Sequence, residues 1–153
     1  MTARKLPPYR VSLAGTLLAA REAVMAPIRP HLRDAGVTEQ QWRVLRVLAD
    51  TDGLDVSTLG EAAMLHPPSV TRILRELVER KLITREADGG DGRRSIIRLQ
   101  PLGKTLVAHT AAHTLSVLNQ YAQEFGNERL RILREELQAF TRAIDGLGNE
   151  NPD

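Results

Sequence analysis

At 153 residues and without cysteine, the chain is long enough for one domain with a real core, and it excludes disulfides, thiolate metal sites and cysteine-based redox sensing. No run of about 18 apolar residues occurs and the apolar patch after Arg4, Lys5 and Arg10 is broken, so neither a membrane span nor a signal peptide is expected, and the cytoplasm is the expected compartment. The formal net charge is +2, yet residues 39–99 hold ten basic and ten acidic groups, so a polyanion is bound only if the arginines gather on one surface.

Residues 1–10, with Pro7-Pro8, read as a flexible arm. From Val11 the set Leu13, Leu17, Leu18, Val24 and Met25 marks a first helix that Pro27 and Pro30 end or kink, and Arg29 to Gly36 is either its last turns or a short helical continuation. Thr38-Glu39-Gln40-Gln41 is a capping box, with Trp42, Val44, Leu45, Leu48 and Ala49 following at helical spacing. Thr51-Asp52-Gly53 turns into a short helix from Val56 to Met64, with Leu59, Ala62 and Ala63 inward. His66-Pro67-Pro68 then leads into a helix whose apolar stripe is Val70, Ile73, Leu74, Leu77 and Val78. Its other face carries Ser69, Thr71, Arg72, Arg75, Glu76 and Glu79.

After Lys81 the period falls toward 2: Leu82–Glu86 and Ser95–Leu99 read as strands around a Gly-rich loop from Ala87 to Arg94. Pro101 starts a long helix through about Phe125, striped by Leu102, Leu106, Val107, Ala111, Leu115, Leu118 and Ala122. Gly126-Asn127 breaks it, a last helix carries Leu130, Leu133, Leu137, Phe140 and Ile144, and the tail after Gly146 is expected to be disordered. Only five residues are aromatic, so the core is aliphatic.

Two short helices around a tight turn, followed at once by a hairpin with a flexible, partly cationic tip, are the layout of a winged helix-turn-helix. Small hydroxyl residues in the first turn of the second helix suit phosphates, and the arginines after them suit guanine edges. The expected fold is therefore mainly α: four helices, a β-hairpin wing and two more helices, with residues 37–100 as the DNA-binding winged helix-turn-helix. The DNA-facing set is Ser69, Thr71, Arg72 and Arg75 on the helix, with Arg93 and Arg94 on the wing. Residues 11–36 and 101–146 keep apolar stripes that one small domain cannot cover, which makes them a helical dimerisation region, with residues 147–153 as tail. A homodimer places two recognition helices on a pseudo-palindrome about one helical turn apart. The competing readings of the polar face are a solvated surface and a winged helix that binds only protein.

This order of elements, with Asp91-x-Arg93 before the strand Ser95–Leu99 and then Gly103, resembles the MarR family of bacterial transcription regulators, over roughly Leu13 to Ile144. The resemblance implies that Ser69-x-Thr71-Arg72 makes the recognition-helix contacts, and that Arg93 reaches into the minor groove with Asp91 orienting it. Leu99-Gln100 departs from the family's usual Leu-Thr, and Gly90 and Gly92 replace residues often charged at the wing tip. A narrower stretch, Leu18-x-x-Arg21-Glu22-Ala23-x-Met25 with Arg29-Pro30 and Thr38 to Arg46, resembles the HpaR-type subgroup that represses homoprotocatechuate (4-hydroxyphenylacetate) degradation operons. That implies a repressor released by a small aromatic carboxylate; a family member serving efflux or stress genes with another ligand is the alternative.

An aromatic carboxylate needs a cation, preferably a forked guanidinium, beside an apolar or aromatic wall. Arg21, Arg29, His31, Trp42, Arg43 and Arg46 supply those groups, with Arg21 and Trp42 the favoured pair. Ion pairing across helices and an ordinary core tryptophan are the competing explanations. His109 and His113, one helical turn apart, have the spacing of a zinc pair, but no glutamate stands between them as a metalloprotease requires. No catalytic set, phosphate-cradling loop or cofactor motif is found, so the expectation is a non-enzyme without metal or cofactor.

Overall fold

The structure is a computed structural model and describes residues 5–149. The described residues form α1 (Leu13–Met25), α2 (Arg29–Asp34), α3 (Glu39–Ala49), β1 (Leu54–Asp55), α4 (Val56–Ala62), α5 (Pro67–Glu79), β2 (Ile83–Asp88), β3 (Asp91–Leu99), α6 (Pro101–Phe125) and α7 (Asn127–Ile144). Their contacts divide the chain into two units, residues 1–114 and 115–153, with the boundary inside α6. This is the mainly helical winged-helix architecture expected, with one helix more than the six foreseen, because Arg29–Asp34 stands as a helix of its own.

In the first unit, side-chain caps set the starts of α1, α3 and α4. Ser12 caps α1, its hydroxyl accepting from Gly15 N–H at 3.1 Å. The helix begins at Leu13 rather than Val11 because Tyr9–Val11 forms a 3-10 turn, with Tyr9 C=O so close that a Cβ on Gly15 would lie 2.0 Å from it. The capping box of α3 is formed as read: Gln41 N–H donates to Thr38 Oγ1 and Thr38 N–H donates to Gln41 Oε1, both at 3.1 Å. Asp55 caps α4, accepting from Thr58 N–H at 3.0 Å and from the Thr58 hydroxyl at 2.7 Å.

Three helices end with the next N–H groups folded back on the last carbonyls. At α2 the left-handed residue is Gly36, with Val37 N–H on Leu32 C=O. At α4 and α5 it is Met64 (φ 51°) and Lys81 (φ 57°), so α4 stops at Ala62 rather than at Met64. The three-stranded sheet has the order β1-β3-β2, all antiparallel. The expected loop from Ala87 to Arg94 falls largely within the two strands: Ala87 pairs with Ser95 and Asp88 with Asp91 around a Gly89-Gly90 tip, with a register irregularity that leaves Gly92, Arg93 and Arg94 between the two pairs. Continued backbone pairing outweighs the weak strand propensity of that glycine-rich stretch. The two-residue strand β1 pairs Leu54 with Ile97 and Asp55 with Ile96, in the stretch where residue order indicates only a turn.

The core lies between α3, α4, α5 and the sheet. Val44, Leu45, Leu48, Leu59, Ile73, Leu74, Leu77, Ile83 and Ile97 are all at most 1% exposed. Each such side chain contributes about 1.5–3 kcal/mol on burial. Val78, Ala49 and Ala62, read as inward, are exposed. On α6 the buried positions in this unit are Gly103, Val107 and Thr110, whereas Leu102 is 57% exposed. Gly103 lets the first turn of α6 reach the sheet: a Cβ there would stand 2.2 Å from Leu82 C=O, the carbonyl that accepts from Gln100 N–H at 2.9 Å.

The second unit contains the end of α6 and α7. Helix α7 buries no residue, and Leu133, Leu137, Phe140 and Ile144 stand along it between 36% and 43% exposed. Arg129 lies 4.1 Å over the Phe125 ring, and Arg131 holds both Glu128 and Glu135. The expected disordered tail begins as a 3-10 turn over Asp145–Asn149, and residues 150–153 lie outside the described residues, as do residues 1–4 of the arm.

Gly103→Ala is expected to lower stability by about 1–3 kcal/mol, because the clash is with backbone and the neighbour cannot rotate away. Urea unfolding by circular dichroism checks this; an unchanged midpoint would contradict the close approach.

Candidate functional site

Helix α5 buries Val70, Ile73, Leu74 and Leu77 and thereby turns Thr71, Arg72 and Arg75 outward, with Ser69 half-buried at the first turn. Pro67 and Pro68 fill the first two helical positions, where a missing N–H costs nothing. Arg72 Nη1 donates to Glu76 Oε1 at 2.9 Å, and Arg75 Nε lies 3.9 Å from Glu79 Oε1.

The wing adds a second cationic surface. Arg93 and Arg94 lie within the span of strand β3 rather than in a loop, at the irregularity between the Ala87–Ser95 and Asp88–Asp91 pairs. With Arg85, Ser95, Ser57, Asp55 and Val56 they line a cavity of about 310 Å³ beside the start of α4. Arg94 Nη2 is 3.5 Å from Asp55 Oδ2. The hydrogen bonds from Thr58 hold the Asp55 carboxyl below its usual range, with Arg94 adding attraction, so Asp55 stays an anion at neutral pH. Arg85 and Ser57 were not in the sequence-based set. The pairing of Arg85 with Ile97, which puts Arg85 and Ser95 on one hairpin face, depends on a register that residue order alone does not carry. The side chain of Asp91 lies outside the described residues.

The six residues read as effector groups do not form one cluster. Arg21 and Arg29 converge on Glu39, the first residue of α3: Arg21 Nη2 and Arg29 Nε donate to its two oxygens at 2.5 Å each. Both arginines also reach Glu22, Arg21 at 3.1 Å and Arg29 at 2.8 Å. The bond from Arg29 holds the Glu39 carboxyl below its ordinary value, and Glu39 in turn raises the Arg29 guanidinium. Trp42 is buried at 7% exposure. Arg43 is half-buried with an Nε that has no partner, and Arg46 is exposed.

His31 stands apart from these groups, stacked on His113 with ring centroids 4.8 Å apart, and His113 meets His109 edge-on at 5.1 Å. These three histidines line a cavity of about 310 Å³ with Asp34 and Thr110, whose buried hydroxyl has no partner. Among the described residues no three His, Asp or Glu side chains are placed to hold a metal ion, and no helix is long and apolar enough to cross a membrane.

The family model for the MarR family matches residues 35–94, from the loop before α3 to the wing. The HTH-type transcriptional regulator FarR of Neisseria gonorrhoeae is 32% identical over 133 residues, 87% of this chain and 91% of that protein. The homoprotocatechuate degradative operon repressor of Escherichia coli is 32% identical over 142 residues, 93% of each. Among solved structures, NadR in complex with 4-hydroxyphenylacetate superposes with a TM-score of 0.79 at 30% identity, covering 92% of this chain and 97% of that one.

Because the folded-state pKa of Glu39 is depressed, its stabilising contribution is present above the ordinary carboxyl value of 4.5 and is lost as pH falls through the lowered value. Glu39→Gln is expected to cost about 0.5–1 kcal/mol at pH 7, a gap from wild type that closes on acidification. Urea unfolding across that range measures it; a gap independent of pH would contradict the clamp.

Proposed function

The chain belongs to the MarR family of transcription regulators, and from that premise we propose that it is a homodimeric repressor that binds a pseudo-palindromic operator and is released by a small aromatic carboxylate of the 4-hydroxyphenylacetate type. The observations that carry this reading are the outward Thr71, Arg72 and Arg75 of α5 and the wing arginines Arg93 and Arg94, whose cavity shares Val56 and Ser57 with the cavity beside Thr71, on a chain related over nearly its full length to a degradative-operon repressor. In this reading residues 37–100 are the DNA-reading part. Ser69 and Thr71 meet phosphates, Arg72 enters the major groove with Arg75 facing the DNA beside it, and Asp91, Arg93 and Arg94 serve the wing's contact with the adjacent minor groove and backbone. Acting on operators, the protein works in the cytoplasm and performs no catalysis.

Residues 11–36 and 101–146 supply the dimer. Leu13, Leu18 and Val24 on α1 are 43–59% exposed and α7 leaves its apolar face uncovered, more apolar surface than a lone protomer keeps in water. A second copy covers it and sets the spacing of the two recognition helices.

For the effector, two features support a carboxylate near the start of α3. Arg21 and Arg29 already hold a carboxylate, that of Glu39, so an anion of the same geometry competes for the same forked donors. Trp42, a buried aromatic, and Arg43, whose buried Nε has no partner, follow within four residues of Glu39 on α3. The ligand-bound state of NadR and the degradative operon of the repressor relative favour a hydroxyphenyl carboxylate as the class. A ligand acts only through unequal affinity for the DNA-competent and incompetent dimers, and a coupling of about 1–3 kcal/mol corresponds to about 5- to 150-fold release.

Arg72→Ala and Arg93→Ala are each expected to weaken operator binding by about 1–3 kcal/mol while the protein still sediments as a dimer. Arg21→Ala is expected to bind operator but to lose its response to 4-hydroxyphenylacetate. Gel-shift titrations with and without that compound decide both; unaltered operator affinity in the first pair, or undiminished release in the third variant, contradicts the assignment.

A further inference from the structure

Arg72 ends a chain of three side chains that begins at a backbone group. Its Nη1 donates to Glu76 Oε1 at 2.9 Å, and the other oxygen of that carboxylate accepts from Gln41 Nε2 at 2.9 Å. Gln41 is 6% exposed, and its amide has a settled orientation: Oε1 takes Thr38 N–H in the cap of α3, which leaves the NH₂ end to face α5. A sequence-local feature, the capping box, thus fixes a side chain 31 positions further on through one intervening carboxylate.

An ordinary pair four residues apart would not achieve this. Arg followed by Glu is the weaker order on a helix, and an exposed pair gains little for the rotamer freedom it loses. The third partner makes the difference, because Glu76 is pinned at its second oxygen by a buried amide. Arg75 supplies the internal comparison: it stands 3.9 Å from Glu79, and both side chains are about two-thirds exposed at 67% and 69%. Two arginines three residues apart on one face therefore differ in kind, one held in a fixed direction and the other on a flexible stem.

We propose that Gln41 and Glu76 are positioning residues that hold Arg72 for bidentate reading of one guanine in each half-site, while Arg75 makes a sequence-independent phosphate contact. This rests on the reading above that α5 faces DNA. With Glu76 taking one N–H of the guanidinium, four donors remain, enough for the O6 and N7 acceptors of guanine. A fixed guanidinium selects that geometry over its alternatives, so its anchors govern discrimination between bases. A swinging one follows whichever phosphate is near, and contributes to affinity and its salt dependence.

The test uses the full-length protein and a duplex that the wild type selects from a random pool, together with every single-base-pair variant of that duplex, by fluorescence anisotropy over a salt series. Arg72→Ala should abolish discrimination at one base pair per half-site. Glu76→Gln and Gln41→Glu should each reduce discrimination at that same pair at least about fivefold and leave the salt slope as in wild type. A glutamate at position 41 still accepts Thr38 N–H, so the cap survives while the bond to Glu76 becomes a repulsion, and thermal melts confirm the fold. Arg75→Ala should weaken binding to all duplexes alike and lower the salt slope. Wild-type discrimination at the Arg72-dependent pair in both anchor variants, or an equal loss at every base pair, overturns the proposal. Should Arg72→Ala itself leave discrimination intact, the placement of α5 on bases is what has failed, and the proposal falls with it.

Discussion

The first turn of α3 is the constraint on which the rest of the reading half depends. Thr38, Glu39 and Gln41 lie within four residues, and each is spoken for from a different direction. The Thr38 hydroxyl and the Gln41 amide close the cap on each other, Glu39 is gripped by arginines from α1 and α2, and Gln41 reaches across to the carboxylate that holds Arg72. No single bond in this set is strong, since exposed ion pairs and neutral hydrogen bonds each contribute about 1 kcal/mol or less. Their effect comes from sharing: the same short backbone segment fixes the orientation of groups on both sides. In the proposed reading, an anion that competes for Arg21 and Arg29 acts on the segment whose Gln41 also holds, through Glu76, the Arg72 side chain of α5. This gives the proposed release a physical route with named parts, all of them within one compact unit of the fold.

The balanced charge of residues 39–99 takes on meaning in the same terms. A domain with ten cations and ten anions would be a poor polyanion binder if the charges were mixed at random. Here the anions are used as anchors. Glu76 holds Arg72, Asp55 stands beside Arg94 while capping α4, and Glu86 accepts from Arg98 at 3.1 Å across the wing. The acidic groups thereby trade some net attraction for direction, which is what a sequence-specific reader requires and an indiscriminate one does not.

Much of this was legible from residue order, and what was not shares one cause. The cap of α3, the stripe of α5 and the placement of the wing depend on neighbours within one or two turns, where periodicity and capping chemistry carry the information. The clamp on Glu39 joins residues 18 and 10 positions apart, and the Gln41–Glu76 bond joins residues 35 apart, so neither leaves a local trace. Arg21 and Arg29 have the chemistry of effector cations, and the carboxylate they share, Glu39, has no local signature. His31, of the same expected set, stacks on His113 of α6. The three glycines between Ala87 and Arg94 signal a loop, whereas the fold supplies Ser95 and Asp91 as pairing partners for Ala87 and Asp88. Met64 and Lys81 adopt left-handed backbone without being glycine or asparagine, where the following turn demands it and no residue signal announces it.

The central claim, that a dimer reads guanines with paired recognition helices and lets go when a hydroxyphenyl carboxylate arrives, is tested most directly by guanine N7 methylation protection on the selected duplex. The account predicts one strongly protected guanine in each half-site, the two separated by about one helical turn of 10 base pairs, and loss of both protections on adding 4-hydroxyphenylacetate. Uniform reactivity along the duplex, a single protected site, or protections that persist at saturating ligand would contradict it.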